Sequence, residues 1–112
     1  MNGKLELVLN PKDSSILINE DVLIALGRPE QIQIMINEEK QMLLVKACTV
    51  EDREALVVPI TKDADYEVSG RSLIKRVRRL TDWTDGEPRK VRGVMVPNYT
   101  AVVFALSTIG KV

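Results

Sequence analysis

The residues with the clearest chemical potential are basic side chains concentrated between positions 71 and 92. Seven of them are candidate nucleic-acid contacts: Arg71, Lys75, Arg78, Arg79, Arg89, Lys90 and Arg92. Lysine and arginine at this density attract a polyanion such as double-stranded DNA through its phosphates, largely independently of base sequence. The alternative interpretation is a solvated helix face that binds nothing.

The chain as a whole has no net charge, yet its two halves differ. Residues 1–60 hold six Lys or Arg and ten Asp or Glu, whereas residues 61–112 hold ten Lys or Arg and six Asp or Glu. The molecule is therefore dipolar, and the basic run can attract a polyanion locally although the protein is neutral.

Residue types needed for most catalytic chemistry are missing. The 112 residues include no histidine, which removes the usual general base and the commonest metal ligand, and the six glycines form no phosphate-binding spacing. The single Cys48 is more typical of a small buried hydrophobe than of an activated thiol, and Glu38 and Glu39 fit a solvated turn better than a cation site. We therefore expect a non-enzymatic protein without a cofactor or metal.

Two further features bear on location and on partners. The longest uninterrupted apolar run, 101–106, is six residues, too short to cross a membrane, and the start of the chain does not resemble a signal peptide. With a lone cysteine, these features predict a cytoplasmic protein that does not bind membranes. Trp83, after the basic helix, is predicted to anchor the core or a loop, with a contact to a protein partner as the alternative.

Turn signals and apolar periodicity divide the first half into five elements. Alternating residues 5–9 and the apolar run 15–18 predict a hairpin around the turn at 10–14. Asn19 is the expected N-cap of a short helix that ends at Gly27, and two strands follow, at 31–37 and 41–45. The predicted order is β-β-α-β-β.

The second half repeats this order after an acidic connection at 49–54. Strands are predicted at 55–60 and 66–68 around a turn at 61–65, and Ser69 is the expected cap of a longer helix. In that helix Leu73, Ile74, Val77 and Leu80 form one apolar stripe, opposite Arg71, Lys75, Arg78 and Arg79. The turn 84–88 then leads to a terminal hairpin with strands at 91–96 and 101–106.

The two halves align as copies of one unit. Ile18 and Asn19 match Val68 and Ser69 at an offset of 50, and the longer second helix with its following loop explains the later offset of 59. We therefore predict a single α+β domain, residues 1–112, built of two repeats at about 1–50 and 51–112. Chance recurrence of a five-element order is the alternative.

The first unit resembles the swapped-hairpin DNA-binding domain of the AbrB and SpoVT type. The resemblance rests on the apolar segments 16–19, 22–27, 32–36 and 42–45, including the helix that ends in Leu26-Gly27. It covers about residues 4–47 and, by the order of elements, 55–107. In this family two units interlace, either as two chains or, in MraZ-type proteins, as two units of one chain. The resemblance therefore implies duplicated β-β-α-β-β units interlaced as a swapped-hairpin pseudo-dimer.

Two functions from different classes follow from these observations. The first is a small transcriptional regulator of AbrB-like type that contacts double-stranded DNA phosphates through the basic second helix and the loop after it. The second is a non-enzymatic module that keeps the fold without binding DNA and assembles with a protein partner or with a second copy of itself.

Overall fold

The computed structural model describes residues 4–47, 56–57, 66–96, 98 and 100–112, with backbone placement alone at 56–57. Several sequence predictions fall outside these residues: Cys48, the acidic connection at 49–54 and the turn at 61–65. Of the strand predicted at 55–60, the described part is Leu56–Val57.

The order of elements follows the prediction closely. The first half contains strands β1 Glu6–Asn10 and β2 Ser15–Ile18, helix α1 Glu20–Ala25, and strands β3 Gln31–Asn37 and β4 Met42–Ala47. The second half contains β5 Leu56–Val57, β6 Tyr66–Ser69, helix α2 Arg71–Thr81, β7 Arg89–Val96, β8 Ala101–Ala105, a 3₁₀ turn Leu106–Thr108 and β9 Gly110–Lys111. The 3₁₀ turn and β9 were not predicted from the sequence.

The described strands form one curled sheet, and the pairings among them are antiparallel. Its order is β5-β3-β4-β8-β7-β1-β2-β6, and β9 pairs with β7 beside β8. With two helices and an antiparallel sheet, the structure agrees with the α+β class. Strands of the first half pair with strands of the second at β1–β7, β2–β6 and β4–β8.

Side chains on one side of this sheet make the hydrophobic core. Leu7, Ile18, Val45, Val91 and Phe104 are completely buried, and the register places them on the same side, which we call the inner face. Because alternate strand residues point to opposite sides, their neighbours lie on the outer face. Residues of both helices belong to the same buried cluster, so the helices cover the inner face.

The ends of the first helix confirm two sequence predictions. The Asn19 side chain accepts a hydrogen bond from the Asp21 amide at 2.7 Å, which is the expected N-cap. Gly27 has a positive φ of 79°, and its amide donates to the Ile24 carbonyl at 2.9 Å. A left-handed residue of this kind stops the helix, and glycine adopts that conformation without strain.

The predicted cap of the second helix was wrong. Gly70, not Ser69, occupies the N-cap of α2 and makes no side-chain cap hydrogen bond, while Ser69 is the last residue of β6. The Gly70 amide donates to the Ser14 carbonyl at 2.8 Å, and a Cβ atom at this position would lie 2.2 Å from Cδ1 of Ile16. The backbone approaches β2 so closely that it excludes a side chain.

Candidate nucleic-acid interface

Helix α2 is held against the core by its apolar stripe, as the periodicity predicts. Ile74 and Val77 are buried, and Leu73 and Leu80 are partly buried against the same cluster. This packing fixes the rotation of the helix about its axis. The basic residues therefore lie on the sides and on the solvent face of α2.

Three cations occupy the centre of the solvent face. Arg71, Lys75 and Arg79 are all exposed and follow one another at intervals of four residues, which corresponds to about 6 Å along the helix axis per step. The sequence of α2 contains no Asp or Glu. We call these three residues the basic stripe.

Among the described residues, the acidic side chain of Glu38 reaches this helix from a neighbouring element. Glu38, in the turn between β3 and β4, accepts hydrogen bonds from both Arg76 and Arg79. The Arg76 hydrogen bond is the main reason that the pKa of Glu38 lies below its ordinary value. Since one carboxylate faces two guanidinium groups, the described residues at this point carry an excess of one positive charge. Local sequence patterns do not indicate this contact, because Glu38 and Arg76 are 38 positions apart.

Arg78 has a different environment from its neighbour Arg79. Its Nε donates to the Trp83 carbonyl at 3.0 Å, and its Nη2 donates to the carbonyls of Thr84 and Asp85 at 2.9 and 3.0 Å. The guanidinium carbon also lies 5.5 Å from the centre of the Trp83 ring, within the range of a cation–π contact. Arg78 therefore holds the loop after α2 rather than presenting its guanidinium group to a ligand.

Arg89 belongs to the same loop structure. It forms an ion pair with Asp85, and its guanidinium carbon lies 6.0 Å from the centre of the Trp83 ring. Asp85 also accepts hydrogen bonds from Nε1 of Trp83 and from the Glu87 amide, each at 3.1 Å. The Glu87 hydrogen bond is the largest contribution to a lowered pKa of Asp85. We call Arg78, Trp83, Asp85 and Arg89 the loop cluster.

Trp83 is the centre of the loop cluster and is 5% exposed. It packs with the hydrophobic core, as expected for a core or loop anchor. Its indole nitrogen donates to Asp85, so the polar end of the ring is satisfied as well.

The last two predicted contacts, Lys90 and Arg92, lie on the outer face of the sheet. Val91 between them is completely buried on the inner face, so its two neighbours point the opposite way. Arg92 is 70% exposed and is 4.0 Å from the Glu6 carboxylate. Helix α2 covers the inner face, so the seven predicted residues do not form one surface. They divide into the basic stripe, two members of the loop cluster and this outer pair.

Other candidate chemistry finds little support among the described residues. In that part of the chain, no group of three or more Cys, Asp or Glu is arranged to hold a metal ion. Glu39 is exposed in its turn, as predicted, whereas Glu38 is paired with arginines. Neither helix among the described residues has the length and apolar character required to span a bilayer.

Comparisons of the chain with models of protein families, with curated proteins and with solved structures found no match. The resemblance to the AbrB and SpoVT type, and the function that it implies, therefore stay predictions.

Proposed function

We propose that the protein binds double-stranded DNA through the phosphate backbone, with the basic stripe of α2 as its contact surface. The observation that carries this proposal is the arrangement of Arg71, Lys75 and Arg79 on the solvent face of a helix that has no carboxylate. Such a stripe attracts phosphates without reading bases, so its contribution to affinity is largely independent of DNA sequence.

The contact surface in this proposal is narrower than the sequence analysis predicts. Arg78 and Arg89 are engaged in the loop cluster, and Lys90 and Arg92 are on the outer face of the sheet. Arg76 lies beside the stripe and shares Glu38 with Arg79, so displacement of Glu38 by a phosphate would release two guanidinium groups. The stripe and Arg76 together are the proposed phosphate-binding set.

We further propose that the two halves are interlaced copies of one unit, as in AbrB-type regulators. The pairings β1–β7, β2–β6 and β4–β8 support this arrangement, because each joins the first half to the second. A fragment of residues 1–50 would lose these partner strands and should be unfolded or oligomeric on its own. A monomeric fragment that melts cooperatively would contradict the interlaced arrangement.

DNA binding is tested by the salt dependence of affinity for a fluorescently labelled duplex of random sequence. Wild-type protein should bind at low salt and release the duplex as salt rises. The triple variant Arg71→Ala, Lys75→Ala, Arg79→Ala should lower the slope of log affinity against log salt by about 2.7, because each lost phosphate contact lowers it by about 0.9.

A matched control removes the same number of positive charges from the other side of the molecule. Lys46→Ala, Lys90→Ala, Arg92→Ala has the same net charge as the triple stripe variant, and its slope should stay close to that of wild type. If wild-type protein does not retain the duplex at low salt, or if the two triple variants bind equally, the proposal is wrong. The alternative, a protein-interaction module without DNA contacts, would then be favoured.

A further inference from the structure

The outer face of the sheet carries an apolar surface that the hydrophobic core does not use. Met35, Leu44, Val103 and Val94 are direct neighbours in the register of β3, β4, β8 and β7, and they form a row across the four strands. All four are at least partly exposed, and Val94 is 69% exposed. Three adjacent strand pairs at about 4.8 Å make this row roughly 14 Å long.

Part of this surface is a shallow groove, formed by two cavities that lie mainly over β3, β4 and the start of β8. Ala101 and Ala105 are small residues on the outer face of β8, on either side of Val103, and larger side chains of β4 and β7 flank them. A cavity of about 370 Å³ is lined in part by Leu44, Val96 and Ala101. A second, of about 450 Å³, shares Met35 and Leu44 with the first. The two cavities are therefore adjacent on the outer face.

The outer face around the groove has an excess of basic residues, although Glu38 lines the second cavity and the Glu6 carboxylate of β1 lies 4.0 Å from Arg92. On the outer positions of β3, β4, β7 and β8, all charged residues are basic: Lys46, Lys90 and Arg92. Lys46 lines the first cavity. At the other end, the second cavity is lined by Arg76 and by Glu38, the carboxylate that two arginines share. An apolar floor with basic edges is complementary to an apolar ridge with acidic edges.

We propose that this groove binds an amphipathic helix of a partner protein, with its apolar side chains on the row and its Asp or Glu residues beside Lys46. A helix suits a sheet face because its apolar stripe can be buried in a layer against the strands, and the short side chain of the partly exposed Ala105 allows a close approach there. Self-association through the same face would bring the basic edges of two copies together, which like-charge repulsion opposes. This proposal does not depend on DNA binding.

The test uses the full-length chain and a synthetic probe. The probe is a stapled helical peptide of about 18 residues with leucine on one face and glutamate on the other, and its affinity is measured by fluorescence anisotropy. Val94→Glu places a carboxylate at the end of the row and should weaken binding at least about tenfold, because the charge would be buried against the leucines of the peptide. The matched control is Ile24→Glu, which makes the same change at a residue of α1 that is 47% exposed, and it should bind like wild type.

A charge-reversal variant distinguishes specific recognition of the peptide charges from a general disruption of the surface. Lys46→Glu should weaken binding of the glutamate peptide and strengthen binding of a peptide with lysine in place of glutamate. Lys40→Glu, in the exposed turn between β3 and β4, should change neither affinity. Arg71→Ala with Lys75→Ala should also leave the affinity for the glutamate peptide unchanged.

Several results would overturn the proposal. If Val94→Glu and Ile24→Glu bind the peptide with equal affinity, the groove is not the binding site. The same conclusion follows if Lys46→Glu binds neither the glutamate peptide nor the lysine peptide. Loss of binding in the Arg71 and Lys75 variant would place the peptide on the basic stripe. A dimer in sedimentation experiments that Val94→Glu dissociates would make a second copy the occupant. Binding to phosphatidylserine vesicles that Val94→Glu abolishes, without peptide binding, would instead indicate a lipid surface.

Discussion

The basic stripe and the loop cluster contain the same residue types but use them differently. Among the described residues, the exposed Arg79 of the stripe forms an ion pair with Glu38. The preceding residue, Arg78, donates three hydrogen bonds to carbonyls of the following loop. Adjacent residues on a helix point about 100° apart. Here that angle decides whether an arginine supports the fold or points to solvent, so charge density along a sequence overestimates the number of basic side chains that are available to a ligand.

The largest expected effect of breaking the loop cluster comes from its aromatic centre. Trp83→Ala should lower the free energy of unfolding by roughly 3 to 5 kcal/mol, because it removes a large buried ring and leaves a cavity. Lys75→Ala in the stripe should change it by less than about 0.5 kcal/mol. Urea unfolding followed by circular dichroism measures both. If Lys75→Ala lowers the free energy of unfolding as much as Trp83→Ala, Lys75 packs in the core, and α2 is rotated relative to the structure.

The next comparison is between the two neighbouring arginines. Arg78→Ala should cost roughly 1.5 to 3 kcal/mol, the range for hydrogen bonds that involve a charged group, because three loop carbonyls lose their donor. Arg79→Ala removes an exposed ion pair, which contributes at most about 1 kcal/mol. Chemical denaturation of the two variants distinguishes these values. Equal stability of Arg78→Ala and Arg79→Ala would contradict the structural role of Arg78.

Sequence periodicity predicts α2 and its apolar stripe because Ile74, Val77 and Leu80 recur at helical spacing. It does not predict that Arg78 meets the carbonyls at 83–85, since that contact depends on the left-handed residue Asp82 that turns the chain back after the helix. The ion pairs of Glu38 are beyond local reasoning because its partners are far away in sequence.

The separation of Lys90 and Arg92 from the helix could have been predicted from the sequence. Both alternate with the apolar Val91, and this pattern assigns them to the face of the strand opposite the core. Grouping by proximity along the chain placed them with α2 instead. The N-cap Ser69 was also an error of local reasoning, because the close approach of Gly70 to Ile16 is a tertiary constraint.

A smaller effect is expected on the pH dependence of stability. Since folding lowers the pKa of Asp85, chiefly through the Glu87 amide, this residue stabilises the protein fully above its ordinary value of 3.8. That contribution is lost as the pH falls below 3.8 and through the lowered pKa of the folded state. Asp85→Asn should therefore flatten the acid side of a plot of melting temperature against pH.

The control for this pH effect is Glu87→Gln, which removes a carboxylate from the same loop but keeps the amide that donates to Asp85. Its acid transition should follow that of wild type. An unchanged acid transition in Asp85→Asn would show that the loop cluster does not depend on the Asp85 carboxylate.

The separation of a ligand-facing stripe from supporting cations is tested most directly by two single lysine variants. Lys75 lies in the stripe, and Lys90 lies on the opposite face of the sheet. For a random-sequence duplex, Lys75→Ala should lower the slope of log affinity against log salt by about 0.9, and Lys90→Ala should leave it at the wild-type value. Equal reductions in both variants, or a reduction in Lys90→Ala alone, would contradict the assignment of the contact surface to α2.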